Sequence, residues 1–252
     1  MDHSPYYRNR PDADIAVLMI HGILGTPRHF DWLIPAIPDD ITVSNILLPG
    51  HGGSVQDFSH ATMEQWQAYV EKTVSDLEKS GRRIIVVGHS LGSLLALHAA
   101  VKHNSICALM LLNVPLCPQL RPRLMGRNLR AAFGKLNKSD PKDAQFSQAC
   151  GTVTEPYLWK YLAWIPNFLS LLCLCRKSRS IPPKLCVPCC AYLGGEDDLV
   201  NIRTKKWLQN HPQITMRYFP EGTHFGYSKQ EQSIIKEDFD CILQNILKKQ
   251  AL

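Results

Sequence analysis

Residues 84–97 read IIVVGHSLGSLLAL. An apolar, β-branched run enters Gly88-His89-Ser90-Leu91-Gly92 and leaves as a helical pattern carrying Leu91, Leu94 and Leu95. A strand that turns into a helix this abruptly forces its middle residue into an unfavourable backbone conformation. It also brings the flanking backbones close together, so the positions two before and two after must be small. Gly88 and Gly92 meet that need. Ser90 is then expected to project its hydroxyl at the end of a sheet, at a helix N-terminus, where partial positive charge favours a nearby anion.

The rest of the chain supplies the sheet. Continuous apolar runs occupy residues 15–20 (IAVLMI), 41–48 (ITVSNILL), 84–87 (IIVV), 106–112 (ICALMLL), 186–193 (CVPCCAYL) and 214–219 (ITMRYF). Runs that are apolar on both faces suit parallel strands covered by helices. Helical patterns lie between them. Residues 62–79 place Trp66, Tyr69, Val70, Val74 and Leu77 on one face behind Thr62 as N-cap, and residues 231–248 repeat the pattern from Ile234 to Leu247. This alternation predicts an α/β fold, a doubly wound and mostly parallel sheet. In such sheets ligands bind beyond the carboxyl ends of the strands. With 252 residues, 45% of them hydrophobic, the chain can build one such domain with an insertion.

Residues 116–185 hold no comparable strand and are too long for an ordinary loop. They are read as a helical cap inserted between the strands near 106–113 and 186–193, with residues 1–115 and 186–252 forming the core. The segment carries 12 Arg and Lys against 3 Asp and Glu. Within it, YLWKYLAWIPNFLSLLCLC is strongly apolar and aromatic. Such a stretch packs on the core, or walls an acyl chain through residues such as Trp159, Trp164 and Phe168, or leans on anionic lipid.

The N-terminal MDHSPYYRNRPDAD has no apolar core of a signal peptide, and no stretch resembles a membrane span. The nine cysteines are read as reduced thiols of a cytoplasmic protein, those of CVPCC as small buried groups of a strand rather than zinc ligands. No G-x-x-x-x-G-K-[ST] stretch occurs, and no metal, cofactor or nucleic-acid partner is expected.

A serine hydroxyl is a weak nucleophile and needs a base, commonly a histidine held by a carboxylate. His224 follows the sixth run in YFPEGTHFG, and YLGGEDDLV places Asp197 and Asp198 just after the fifth. The resulting order Ser, Asp, His suits a serine on a strand-to-helix corner, with one of the two aspartates facing the histidine. An anion forming at the site needs two backbone N–H donors. Leu91, just after the serine, and Ile23 in the loop HGILGT are the candidates. His21, Gly22, His51 and His89 are read as structural.

HGILGTPRHF, LPGHGGS, GHSLGS, GGEDDLV and GTHFG occur in the order found in the α/β-hydrolase superfamily. The chain resembles that superfamily, and within it the carboxylesterase and monoacylglycerol lipase-like branch. The resemblance implies Ser90 as nucleophile, His224 as base and Ile23 as an oxyanion donor. Gly194, Asp197 and Val200 match the family's G-x-x-D-x-x-V, which favours Asp197 as the acid and leaves Asp198 as the alternative. It also implies that the family's early antiparallel strands are shortened or missing. The expected function is hydrolysis of a small-molecule carboxylic ester, a short- or medium-chain acyl ester or monoacylglycerol, through an acyl-enzyme. A thioesterase is the alternative, and a non-catalytic binding protein of the same fold a third reading.

Overall fold

The computed structural model describes residues 3–121, 137, 139, 140, 143, 144 and 157–248. Each apolar run becomes a strand. β2 (Ile15–Ile20), β3 (Thr42–Ile46), β4 (Arg83–His89), β5 (Ile106–Leu112), β6 (Cys189–Gly194) and β7 (Ile214–Phe219) pair in parallel. With β1 (Tyr6–Arg8) they form one sheet in the order β1-β3-β2-β4-β5-β6-β7.

Of the early antiparallel strands expected to be shortened or missing, β1 is present in shortened form, with three residues. It runs antiparallel to β3, with Tyr7 opposite Ser44. Three residues are too few to show a period in sequence. The strand is tied down by Arg8, whose guanidinium donates to the carbonyls of Ile41 and Pro38 (3.1 and 2.7 Å) and pairs with Asp39 at 2.9 Å.

Helices form over the periodic stretches 62–79 and 231–248 and after the serine corner, and a further short one, which the sequence pattern did not mark, forms ahead of them. α1 (Val55–His60) opens on a capping box at Ser54 and Asp57, and α2 (Met63–Lys79) on another at Thr62 and Gln65. α3 (Leu91–Ala100) follows the serine corner, and α5 (Lys229–Lys248) closes the described chain after α4 (Ile165–Ser178). β2 shows how the layers are divided. Ala16, Leu18 and Ile20 meet the cluster containing Trp66, Val70 and Leu94 of α2 and α3. Ile15, Val17 and Met19 meet the cluster containing Phe30 and, from α5, Ile235, Phe239 and Leu243. Alternate side chains of one strand thus fill two cores, as period 2 demands of a strand covered on both faces.

Within the expected insertion, a 3-10 turn (Leu158–Trp164) leads into α4. Polar side chains fasten this unit to the core. Trp164 Nε1 donates to the carbonyl of Val55 at 2.8 Å, and Asn167 Nδ2 to that of Phe58 at 2.9 Å. Ser178 Oγ donates to Leu174 O and so accepts from His98 Nε2 of α3 at 3.0 Å. Arg179 Nε donates to Leu116 O at 2.8 Å, its guanidinium lying over the ring of Trp207. No helix among the described residues is long and apolar enough to cross a membrane. The thiols near β6 are divided: Cys189 is buried, Cys190 half-buried and Cys186 exposed, the last against the expectation of a buried cluster. Burial pushes the Cys190 thiol up to about 11.

Candidate active site

The corner at Ser90 is as tight as its sequence requires. Ser90 has φ 51° and ψ −115°, a strained conformation for a residue with a side chain. A Cβ on Gly92 would stand 1.9 Å from the carbonyl oxygen of Ile20, and one on Gly88 would stand 2.6 Å from the backbone of Gly92. The helix start is therefore jammed against the end of β2, and only glycine fits. Ser93 braces the turn, its Oγ donating to Gly88 O at 2.6 Å. Ser90 itself is bonded through its N–H to Leu112 O at 2.9 Å.

His224 follows β7, and its Nδ1 lies 2.8 Å from Asp197 Oδ2 on the loop after β6. The other carboxylate oxygen, Oδ1, accepts from the backbone N–H groups of Leu199 and Val200 at 2.7 and 2.8 Å. Both side chains are buried, at 3% and 1% exposure. A carboxylate held by two backbone donors is an acceptor only, so His224 Nδ1 carries the proton and Nε2 keeps its lone pair. Of the two adjacent aspartates, Asp197 holds the histidine.

Two further residues fix the backbone of His224, and the sequence did not single out their roles. His89 Nε2 donates to the His224 carbonyl at 2.8 Å. Asn113, at the end of β5, donates from Nδ2 to the carbonyls of Thr223 and His224 (3.0 and 3.3 Å) and accepts from Gly194 N–H at 3.1 Å. One amide thus joins the loop after β6 to the loop after β7. Asn113 has φ 50°, a left-handed conformation that asparagine tolerates better than most residues. Its position just after an apolar run was the only hint in the sequence.

The loop His21–Gly25 passes against the serine. A Cβ on Gly22 would lie 3.0 Å from Ser90 Cβ. The loop closes with Gly25 N–H donating to Gly22 O at 3.0 Å, with Leu24 at φ 56°. His21 Nε2 accepts from Leu48 N–H at 3.0 Å, so Nδ1 is the donor to Gly22 O at 2.8 Å. Both nitrogens are used, and burial lowers the pKa to about 4. His21 therefore shapes the loop as a neutral ring. Leu91 opens α3, so its N–H has no intrahelical acceptor. Behind the corner, His29 stacks on His89 with ring centroids 3.8 Å apart, and burial followed by the charge of His224 lowers its pKa to about 3. His51 packs against His21, Phe58 and Trp66, its pKa held well below the ordinary value by burial.

The structure does not gather Trp159, Trp164 and Phe168 into one wall. Trp164 is buried, its ring against Phe58 and its N–H on Val55. Trp159 and Phe168 are exposed, at 67% and 37%.

The comparisons with known proteins agree with this architecture. The chain is 35% identical over 170 residues to a pimeloyl-[acyl-carrier protein] methyl ester esterase of Neisseria meningitidis, a match covering 65% of this chain and 55% of that protein. It thus spans about half the length of this curated relative. One solved structure, described among two metagenome-derived lipolytic enzymes, LipS and LipT, matches with TM-score 0.70 at 18% identity, covering 96% of this chain and 98% of its own. A monoacylglycerol lipase of Paleococcus ferrophilus matches with TM-score 0.68 at 14% identity, covering 97% and 99%. At those identities the structural likeness speaks for the fold alone. The family model described as "Alpha/beta hydrolase family" matches residues 17–232, from β2 into α5, and the chain belongs to that family.

Proposed function

We propose that the chain is a carboxylic ester hydrolase acting on a short- or medium-chain acyl ester. The observation that carries this reading is the 2.8 Å bond between His224 Nδ1 and Asp197, which leaves Nε2 as the base on a loop beyond the carboxyl end of the sheet, the end at which Ser90 projects.

In this reading Ser90 Oγ attacks the ester carbonyl while His224 Nε2 takes its proton. Asp197 holds the ring and stabilises the imidazolium that forms. The oxyanion is received by the N–H groups of Leu91 and Ile23, with the N-terminus of α3 adding to the field. His224 then gives its proton to the departing alcohol. Water, deprotonated by the same nitrogen, releases the acid from the acyl-enzyme and restores Ser90. Residues 116–185 are read as a cap over this end of the sheet, a reading of which most of residues 122–156 lies outside the described residues. The Neisseria relative, a methyl ester esterase by its description, supports a carboxylic ester as substrate.

The test compares wild type with Ser90→Ala on a chain-length series of p-nitrophenyl esters, beside monoacylglycerols and acyl-coenzyme A. Wild type should hydrolyse the oxygen esters and take a fluorophosphonate label at Ser90. The variant should lose the label, and about 10⁴-fold or more of the turnover, with its fold intact. In the same assay Asp197→Asn should be severely impaired and Asp198→Asn much less so. Turnover confined to acyl-coenzyme A would make the protein a thioesterase. Labelling elsewhere, or normal turnover in Ser90→Ala, would overturn the mechanism.

A further inference from the structure

α4 is turned inside out. Its core side carries Asn167 and Ser178 beside Leu174 and Cys175, all buried. Its outer side carries Ile165, Phe168, Leu169 and Leu172, all exposed. At 100° per residue these four fall within one stripe, and Arg176 continues it at the C-terminal end. The preceding turn extends the stripe with Trp159 and Leu162, exposed at 67% and 65%. Soluble monomers rarely show so continuous an apolar surface unless something binds there.

The face cannot roll inward without loss. Turning α4 about its axis would break the bonds from Trp164 to Val55, from Asn167 to Phe58 and from His98 to Ser178. The apolar stripe is thus presented to the outside by a helix fixed in its rotation.

Charge selects the occupant. No Asp or Glu lies between Glu155 and Glu196, whereas Arg176, Lys177 and Lys184 in that stretch are exposed. A second copy docked face to face would bring these cations against their own kind. An anionic surface with an apolar interior fits both features. Tryptophan and tyrosine, with Trp159 exposed and Tyr157 beside it also exposed, suit the boundary between headgroups and acyl chains. We infer that the outer face of α4 and of the turn before it is a docking surface for an anionic lipid bilayer, with α4 lying in the plane of the headgroups. The attachment is peripheral, since no described helix can span. It does not rest on the chemistry at Ser90.

The full chain is sedimented with vesicles of phosphatidylcholine, with and without phosphatidylglycerol, beside the variant Leu169→Glu/Leu172→Glu. Wild type should bind the phosphatidylglycerol vesicles, more weakly as salt is raised, and the variant should bind at least about tenfold more weakly. Thermal unfolding of the variant should match wild type, and Ser90→Ala should sediment as wild type does. Failure of wild type to bind, or undiminished binding by the variant, would overturn the proposal. So would a markedly lower unfolding temperature in the variant, which would mean that the chain itself covers the stripe. A concentration-dependent dimer that the variant loses, without vesicle binding, would assign the face to a second copy.

Discussion

α3 and α4 are both leucine-rich helices, yet they meet their surroundings in opposite ways. α3 lies against β2, β4 and β5 and buries eight of its ten residues, including Leu91, Leu94, Leu95 and Leu97. α4 buries four of fourteen, two of them the polar Asn167 and Ser178. The sheet surrounds α3 with apolar partners, so leucine is the natural filling. α4 and the turn before it instead meet backbone carbonyls of α1 and the imidazole of α3, so their inner side is polar where it touches them. Hydrophobicity alone did not decide which side of α4 faces inward; unsatisfied carbonyl and ring partners did.

Leu94→Ala should cost about 2–5 kcal/mol in a urea titration, the range for a leucine whose cavity cannot collapse. A loss below about 1 kcal/mol would mean that α3 is less enclosed than its burial indicates. Acid tests the same region by another route. In the folded protein burial holds His21 at about 4 and His29 at about 3, below the ordinary histidine value. The unfolded chain therefore binds protons first as pH falls. Their contribution to stability is intact above about pH 6.5, and declines as pH drops from there through 4 towards 3. Two such groups give a slope of about 2.7 kcal/mol per pH unit in mid-window. Urea midpoints measured across that window should fall steeply; a flat profile would show that these rings are reached by water.

On α4 and the turn before it the expected effects are smaller and split by side. Trp164→Phe keeps a six-membered aromatic ring but loses the pyrrole half with its donor to Val55, which should cost about 1–3 kcal/mol. Leu172→Ser, on the outer side, should stay within about 0.5 kcal/mol of wild type. Equal effects at the two positions would erase the distinction between the faces.

Much of this was legible in the sequence because it was carried by local pattern. Apolar runs of strand length, Thr62 before a helical period and paired glycines about Ser90 each express a nearby physical demand. The dependence of His224 on Asn113 and His89 was not legible, because it joins residues more than a hundred positions apart through backbone carbonyls that leave no mark on composition. β1 escaped because three residues cannot display alternation. The rotation of α4 escaped because a helix apolar nearly all round has no preferred side until its neighbours are in place.

The bonds from Trp164 and Asn167 also set an order of events. α1 has only six residues, too few for a helix to persist alone in water. Two of its carbonyls receive donors from positions 109 residues further along. Closing so long a loop is slow compared with forming a helix or a tight turn. On a ribosome, α1 would leave the exit tunnel well before its partners had been made. The loop beside His51 would thus acquire its final shape late, after the segment that clasps it has been synthesised and has docked.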